Sequence, residues 1–202
     1  MKNFMSDTII TEKIKTSYYS FVDPLINMFI RLNAHPNMYT IWGMLLSIIA
    51  AVFAGMGRLR WAGLCLIFSG LFDSIDGTIA RRSGRTSRFG ALLDSTMDRY
   101  SEMFIFFGLA FYFIRDHAYL HSMALAVGLG GSLMVSYVRA RAEGLGFECS
   151  VGLMQRPERT ILLALGAITT KSFLIVAIWI IAVLSNITAV HRILYIYKKD
   201  RE

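Results

Sequence analysis

The chain has 202 residues, 55% of them hydrophobic and 17% charged, with a formal net charge of +7 and a mean hydropathy of +0.50. So apolar and charge-poor a composition excludes an ordinary soluble domain of this length and points to a polytopic membrane protein. In such a protein a basic excess sits in cytoplasmic loops facing anionic lipid, so it does not argue for nucleic acid. The two cysteines, Cys65 in an apolar run and Cys149 in a polar loop, suggest neither a disulfide framework nor a zinc site.

In chain order, apolar residues recur every three to four positions over residues 8–34, with Lys13, Lys15 and Arg31 among them. That period predicts an amphipathic helix, either lying on the membrane surface or packed on the bundle outside the bilayer. Pro36 disfavours helix at His35 and can open a new one. Six membrane spans are then expected, over about 40–56, 61–80, 89–114, 123–143, 159–169 and 173–195. The fifth is short for a span and is expected to begin outside the hydrocarbon, near Pro157. The predicted fold is thus all-α, with six transmembrane helices plus an N-terminal amphipathic juxtamembrane helix. Residues 1–38 form the juxtamembrane segment and 39–202 the membrane domain. Of the 21 Lys and Arg residues, only Arg58, Arg60, Arg115 and Lys171 fall in the three turns opposite the termini. The positive-inside rule then places the termini and the basic loops in the cytoplasm.

One stretch breaks the apolar pattern. Residues 71–99, LFDSIDGTIARRSGRTSRFGALLDSTMDR, join the second and third spans and hold four aspartates. Asp73 and Asp76 are three apart, and Asp94 and Asp98 four apart, so on helices each pair shares a face. Facing helices would bring all four together. Like charges at a membrane depth are costly, and four of them need cations. Hard divalent ions suit oxygen ligands, and a pair of metals is a familiar arrangement for phosphoryl chemistry. Gly77 and Gly90 allow close approach of a helix or a ligand. Arg81 could pair with a carboxylate or a phosphate. Singly, each aspartate reads as well as a helix cap or a partner of Arg81, Arg82, Arg88 or Arg99; the four together at these spacings favour a site.

The stretch fits D-x-x-D-G-x-x-A-R, eight residues, then G-x-x-x-D-x-x-x-D, with Asp73, Asp76, Gly77, Ala80, Arg81, Gly90, Asp94 and Asp98 in the fixed positions. It resembles the CDP-alcohol phosphotransferase family of integral membrane enzymes. The resemblance implies a homodimer with a cytoplasmic-side site and a divalent metal centre, Mg²⁺ or Mn²⁺, of two ions. It implies Asp73, Asp76 and Asp94 as metal ligands, and Asp98 as general base that also touches metal. It further implies that Asn37, Met38, Tyr39, Thr40, Asp73, Gly77, Arg81 and Ser87 hold the CDP-lipid.

A second stretch, SYVRARAEGLGFECSVGLMQRPER, spans 136–159. Its arginines read either as topology and headgroup contacts or as forks for a phosphate. The pattern S-Y-x-[KR]-A-R-A-E-x-x-G followed by R-P-E-R resembles the phosphatidylinositol-phosphate synthase branch. That resemblance implies that Arg139, Arg141 and Arg192 bind the acceptor phosphate, and Arg156 and Arg159 lie close enough in sequence to join them. The expected function is transfer of a phosphatidyl group from CDP-diacylglycerol to an inositol phosphate, releasing CMP, in phospholipid biosynthesis. Glycerol 3-phosphate, inositol or serine as acceptor, or CDP-archaeol as donor, would use the same chemistry. A cation transporter is the reading from another class, since intramembrane carboxylates also mark ion pathways; it would place them nearer the midplane.

Overall fold

The computed structural model describes residues 36–201. These residues form six helices: α1 (Pro36–Gly55), α2 (Leu59–Arg82), α3 (Arg88–Arg115), α4 (Tyr119–Gly144), α5 (Arg156–Ile168) and α6 (Lys171–Lys199). The helix expected over 8–34 lies outside the described residues. Pro36 opens α1, as its fixed φ favours, so the helix begins four residues before the expected start of the first span near residue 40.

The expectation of six membrane spans is corrected. Among the described residues, only α1, α2, α4 and α6 are long and apolar enough to cross a membrane. With 13 residues, α5 rises about 20 Å at 1.5 Å per residue, well short of a hydrocarbon core of about 30 Å. The obstacle in α3 is charge, not length: its first 15 residues carry Arg88, Asp94, Asp98, Arg99 and Glu102. Apolar periodicity registered both segments as helices but did not separate crossing the bilayer from packing within the bundle.

Four apolar spans make the chain an integral membrane protein. Its outer surface is apolar, with Trp42, Val52, Phe107, Val127 and Ile187 among the exposed side chains. Because lipid is as apolar as those residues, the helices associate through close packing and hydrogen bonds between them. At Gly63 a Cβ would stand 2.7 Å from the Ala164 carbonyl oxygen, so α2 and α5 approach closely there. Ser47 and Ser69 share a hydrogen bond of 2.8 Å, and Ser69 donates to the Gly43 carbonyl at 2.8 Å, tying α1 to α2. Leu66, Phe106, Leu109, Leu125, Leu174 and Ile178 belong to the core these helices enclose.

The connection between α2 and α3 positions the acidic stretch. At the end of α2, Arg85 N–H bonds the Ala80 carbonyl and Gly84 N–H the Arg81 carbonyl. That doubled closure needs a left-handed residue, and Gly84 supplies it with φ of +66°. Ser87 then caps α3 by accepting from Gly90 N–H at 2.9 Å. The chain therefore reverses sharply, and the C-terminal turns of α2 face the N-terminal turns of α3.

Candidate active site

The reversal brings three of the four motif aspartates together. Asp73, Asp94 and Asp98 each offer a carboxylate oxygen, and these oxygens lie within 4.8 Å of one another. All three are half-buried. Such hard oxygen donors suit Mg²⁺ or Mn²⁺.

Asp76 stands apart from this group. It is buried, its Oδ2 accepts from Thr40 Oγ1 at 2.6 Å, and its Oδ1 accepts from Gly77 N–H at 2.5 Å. It faces a cavity of about 220 Å³ between the ends of α1, α2 and α3. Asn37, Thr40, Gly77, Arg81 and Ser87 line that cavity too, together with Arg85, Thr86 and Asp94. Asp94 thus belongs both to the cavity wall and to the carboxylate group. A Cβ at Gly77 would lie 3.5 Å from Arg81 Nη1, so the bare glycine leaves room beside the guanidinium. Met38 is exposed and Tyr39 buried, and neither lines the cavity; nor does Asp73.

On the other side of the group lies a larger, mostly apolar cleft of about 510 Å³ between α2, α3 and α5, reached by Asp73 and Arg156. Among the described residues, Arg156 forms ion pairs with two of these carboxylates. Its Nη1 donates to Asp73 Oδ2 at 2.5 Å and sits 2.6 Å from Asp98 Oδ1. Arg99 adds a longer contact to Asp98 at 3.4 Å.

The other arginines named as acceptor candidates are placed differently. Arg139 and Arg141 are exposed on the last turns of α4, Arg139 donating to Glu143 at 2.8 Å. Arg159 is 1% exposed and forks onto Glu102, with Nε to Oε1 at 2.5 Å and Nη2 to Oε2 at 3.0 Å. Arg192 is buried as well, donating to the Val151 and Val135 carbonyls. Both guanidiniums are buried and bonded within the fold, and Arg139 and Arg159 are charged neighbours of Arg192.

Sequence reasoning passed over Glu102, Arg85 and Thr86. Glu102 had a usable signal, since it lies four residues after Asp98 at the head of an apolar run, and an acid there needs a partner. Arg85 and Thr86 had none, because the turn between α2 and α3 alone decides which way they point.

Comparison with known proteins agrees with this architecture. An archaetidylinositol phosphate synthase of Methanothermobacter thermautotrophicus is 34% identical over 183 residues, covering 89% of this chain and 90% of that protein. A crystal structure of the Mycobacterium tuberculosis phosphatidylinositol phosphate synthase with CDP-DAG bound superposes with a TM-score of 0.76 at 35% identity, covering 84% of this chain and 90% of that one. The same synthase in complex with manganese and citrate gives 0.78 at 34%, covering 86% and 88%. The family model for CDP-alcohol phosphatidyltransferase matches residues 33–195. The chain therefore belongs to the CDP-alcohol phosphatidyltransferase family of enzymes and closely resembles its phosphatidylinositol-phosphate synthase branch.

Proposed function

We propose that this enzyme transfers a phosphatidyl group from CDP-diacylglycerol to a hydroxyl of an inositol phosphate, releasing CMP, with its site toward the cytoplasm. The observation that carries the reading is Arg156, whose guanidinium, of a kind able to fork onto a phosphate, is held 2.6 Å from Asp98, in a chain similar to synthases of that branch.

The residues divide the work. Asn37, Thr40, Gly77, Arg81 and Ser87 surround a cavity suited to the nucleotide end of the donor, with Met38 and Tyr39 completing the turn that presents Asn37 and Thr40. The Arg81 guanidinium can fork onto a phosphate. The carboxylates of Asp73, Asp94 and Asp98 fit a hard divalent ion such as Mg²⁺ or Mn²⁺, and with Asp76 they make a ligand set sufficient for two. Metal bound there would neutralise the pyrophosphate and polarise the phosphorus under attack.

The acceptor's phosphate would be held by the arginines gathered beside the carboxylates, Arg156 and Arg159 of α5, Arg139 and Arg141 at the end of α4, and Arg192 of α6, with Arg139 and Arg159 charged neighbours of Arg192. Holding the phosphate there places a neighbouring hydroxyl within reach of Asp98. The hydroxyl oxygen bonds to the phosphorus that carries diacylglycerol. The bond from that phosphorus to the oxygen bridging to CMP breaks, and CMP leaves with the bridging oxygen. The hydroxyl proton passes to the Asp98 carboxylate. A carboxylate base and an oriented alcohol suffice for a single displacement, so no covalent enzyme intermediate is required.

The test offers purified protein CDP-diacylglycerol and Mg²⁺ with inositol phosphate, glycerol 3-phosphate, inositol or serine in parallel, and follows CMP. Release with inositol phosphate is expected. Release with another acceptor but not with inositol phosphate overturns the acceptor assignment.

A further inference from the structure

Four cations, Arg58, Arg60, Arg115 and Lys171, stand in the helix connections at the end of the bundle away from the carboxylates. That end is otherwise poor in Lys and Arg, so the few it keeps need a reason. Three of them, Arg58, Arg60 and Lys171, line one cavity of about 470 Å³. Its walls are residues 57–61, where α1 turns into α2, and residues 169–171, where α5 turns into α6.

No acidic residue lines this cavity. Lys171 pairs with Asp116, which lines a neighbouring pocket with Arg115, and Arg115 donates to the Gly55 carbonyl at 3.2 Å. Arg58 and Arg60 are exposed, and among the described residues neither has an ion-pair or side-chain hydrogen-bond partner. Two guanidiniums thus lack a counter-charge beside a third cation. No side chain caps the start of α2 here either, which leaves its first N–H groups to an outside partner.

The neighbouring apolar side chains decide which kind of anion fits. Trp61 and Leu64 share a stripe of α2, and Leu165 lies on α5 next to Ala164, whose carbonyl meets α2 at Gly63. All three are exposed. Tryptophan favours the level of the lipid headgroups, where its ring is half in and half out of the hydrocarbon. A cationic cavity continued by an apolar stripe matches an amphiphile with its charge at one end. A soluble phosphate would use the cavity alone.

We propose that this cavity binds the headgroup phosphate of an anionic phospholipid, held by Arg58, Arg60 and Lys171, with its chains along Trp61 and Leu64. The lipid is a ligand of the fold and not a substrate. It bridges the α1–α2 and α5–α6 turns at the end of the bundle remote from the transfer chemistry.

The experiment follows Trp61 fluorescence in the full-length protein carrying Trp42→Phe and Trp179→Phe, which leaves Trp61 as the one tryptophan. The protein is reconstituted in phosphatidylcholine vesicles with phosphatidylglycerol or phosphatidylcholine brominated on the acyl chains near the headgroup. Quenching should show phosphatidylglycerol preferred about fivefold or more, the scale of one cation beside an anionic lipid. Arg58→Gln with Arg60→Gln should bring the preference to within about twofold of none. Lys198→Gln with Lys199→Gln removes the same charge from the far end of α6 and should leave the preference intact. All four side chains are exposed, so these variants are expected to fold.

Equal quenching by the two lipids in the parent overturns the proposal. So does a preference that survives the arginine substitutions, or one that is lost equally with the lysine substitutions. Millimolar inorganic phosphate should not relieve the quenching; if it does, the cavity takes free phosphate and the lipid assignment falls.

Discussion

Thr40 on α1 donates to Asp76 on α2 at 2.6 Å, and this bond holds one motif aspartate apart from the group formed by Asp73, Asp94 and Asp98. Both residues are buried. A buried carboxylate stripped of a donor loses about 1–3 kcal/mol. Thr40→Val should therefore lower the thermal midpoint in detergent, and Thr40→Ser, which keeps the hydroxyl, should restore most of it. A Thr40→Val protein as stable as the parent would show that the bond contributes nothing to the fold.

The carboxylates of Asp73, Asp94 and Asp98 share one small volume, so each should count separately toward a divalent cation. Ligand charge sets the affinity of an oxygen site. Asp73→Asn and Asp94→Asn are each expected to weaken Mn²⁺ binding about tenfold or more, read by the paramagnetic signal of free Mn²⁺. Chelation should abolish CMP release, and added Mg²⁺ or Mn²⁺ should restore it. Undiminished Mn²⁺ binding in both variants would place the metal elsewhere.

Asp98 is expected to act on the acceptor's proton. Asp98→Asn keeps the size and most of the hydrogen bonding but cannot take a proton. Turnover should fall by roughly 10²–10⁴, the usual worth of a positioned base. Binding of CDP-diacylglycerol, measured by tryptophan fluorescence or a thermal shift, should persist, because the nucleotide cavity lies on the far side of Asp94. Retained turnover removes Asp98 from the role of base.

What the sequence revealed of this site depended on range. Asp73 and Asp76, and Asp94 and Asp98, lie within a helical turn of each other, so spacing alone paired them, and the short turn through Gly84 brought Asp73 to Asp94 and Asp98. Helix ends were legible to within a few residues because Pro36, the glycines and the basic turns mark them. The place of Asp76 was not, since its partner Thr40 is 36 positions away. Nor was the burial of Arg159 and Arg192, whose partners Glu102 and Val135 each lie 57 positions away. The number of membrane-crossing helices was misjudged for a related reason: α3 and α5 have apolar faces because they pack in the bundle.

Gly108 offers a test of how the helix packing supports the site. A Cβ there would stand 2.7 Å from the Ala51 Cα, where α3 crosses α1. Backbone, unlike a flexible side chain, cannot turn away, so Gly108→Ala must push the two helices apart. Overpacking of this kind costs about 1–3 kcal/mol. The helices it separates carry Thr40 and Asn37 on one side of the nucleotide cavity and Asp94 on the other. Gly108→Ala should therefore lower the thermal midpoint and raise the KM for CDP-diacylglycerol more than the KM for the acceptor, because α5 is not displaced by this contact. Gly130, where a Cβ meets nothing within 4 Å, is the control, and Gly130→Ala should leave both constants unchanged. If Gly108→Ala behaved like Gly130→Ala, the close approach of α1 to α3 would have no part in shaping the nucleotide cavity.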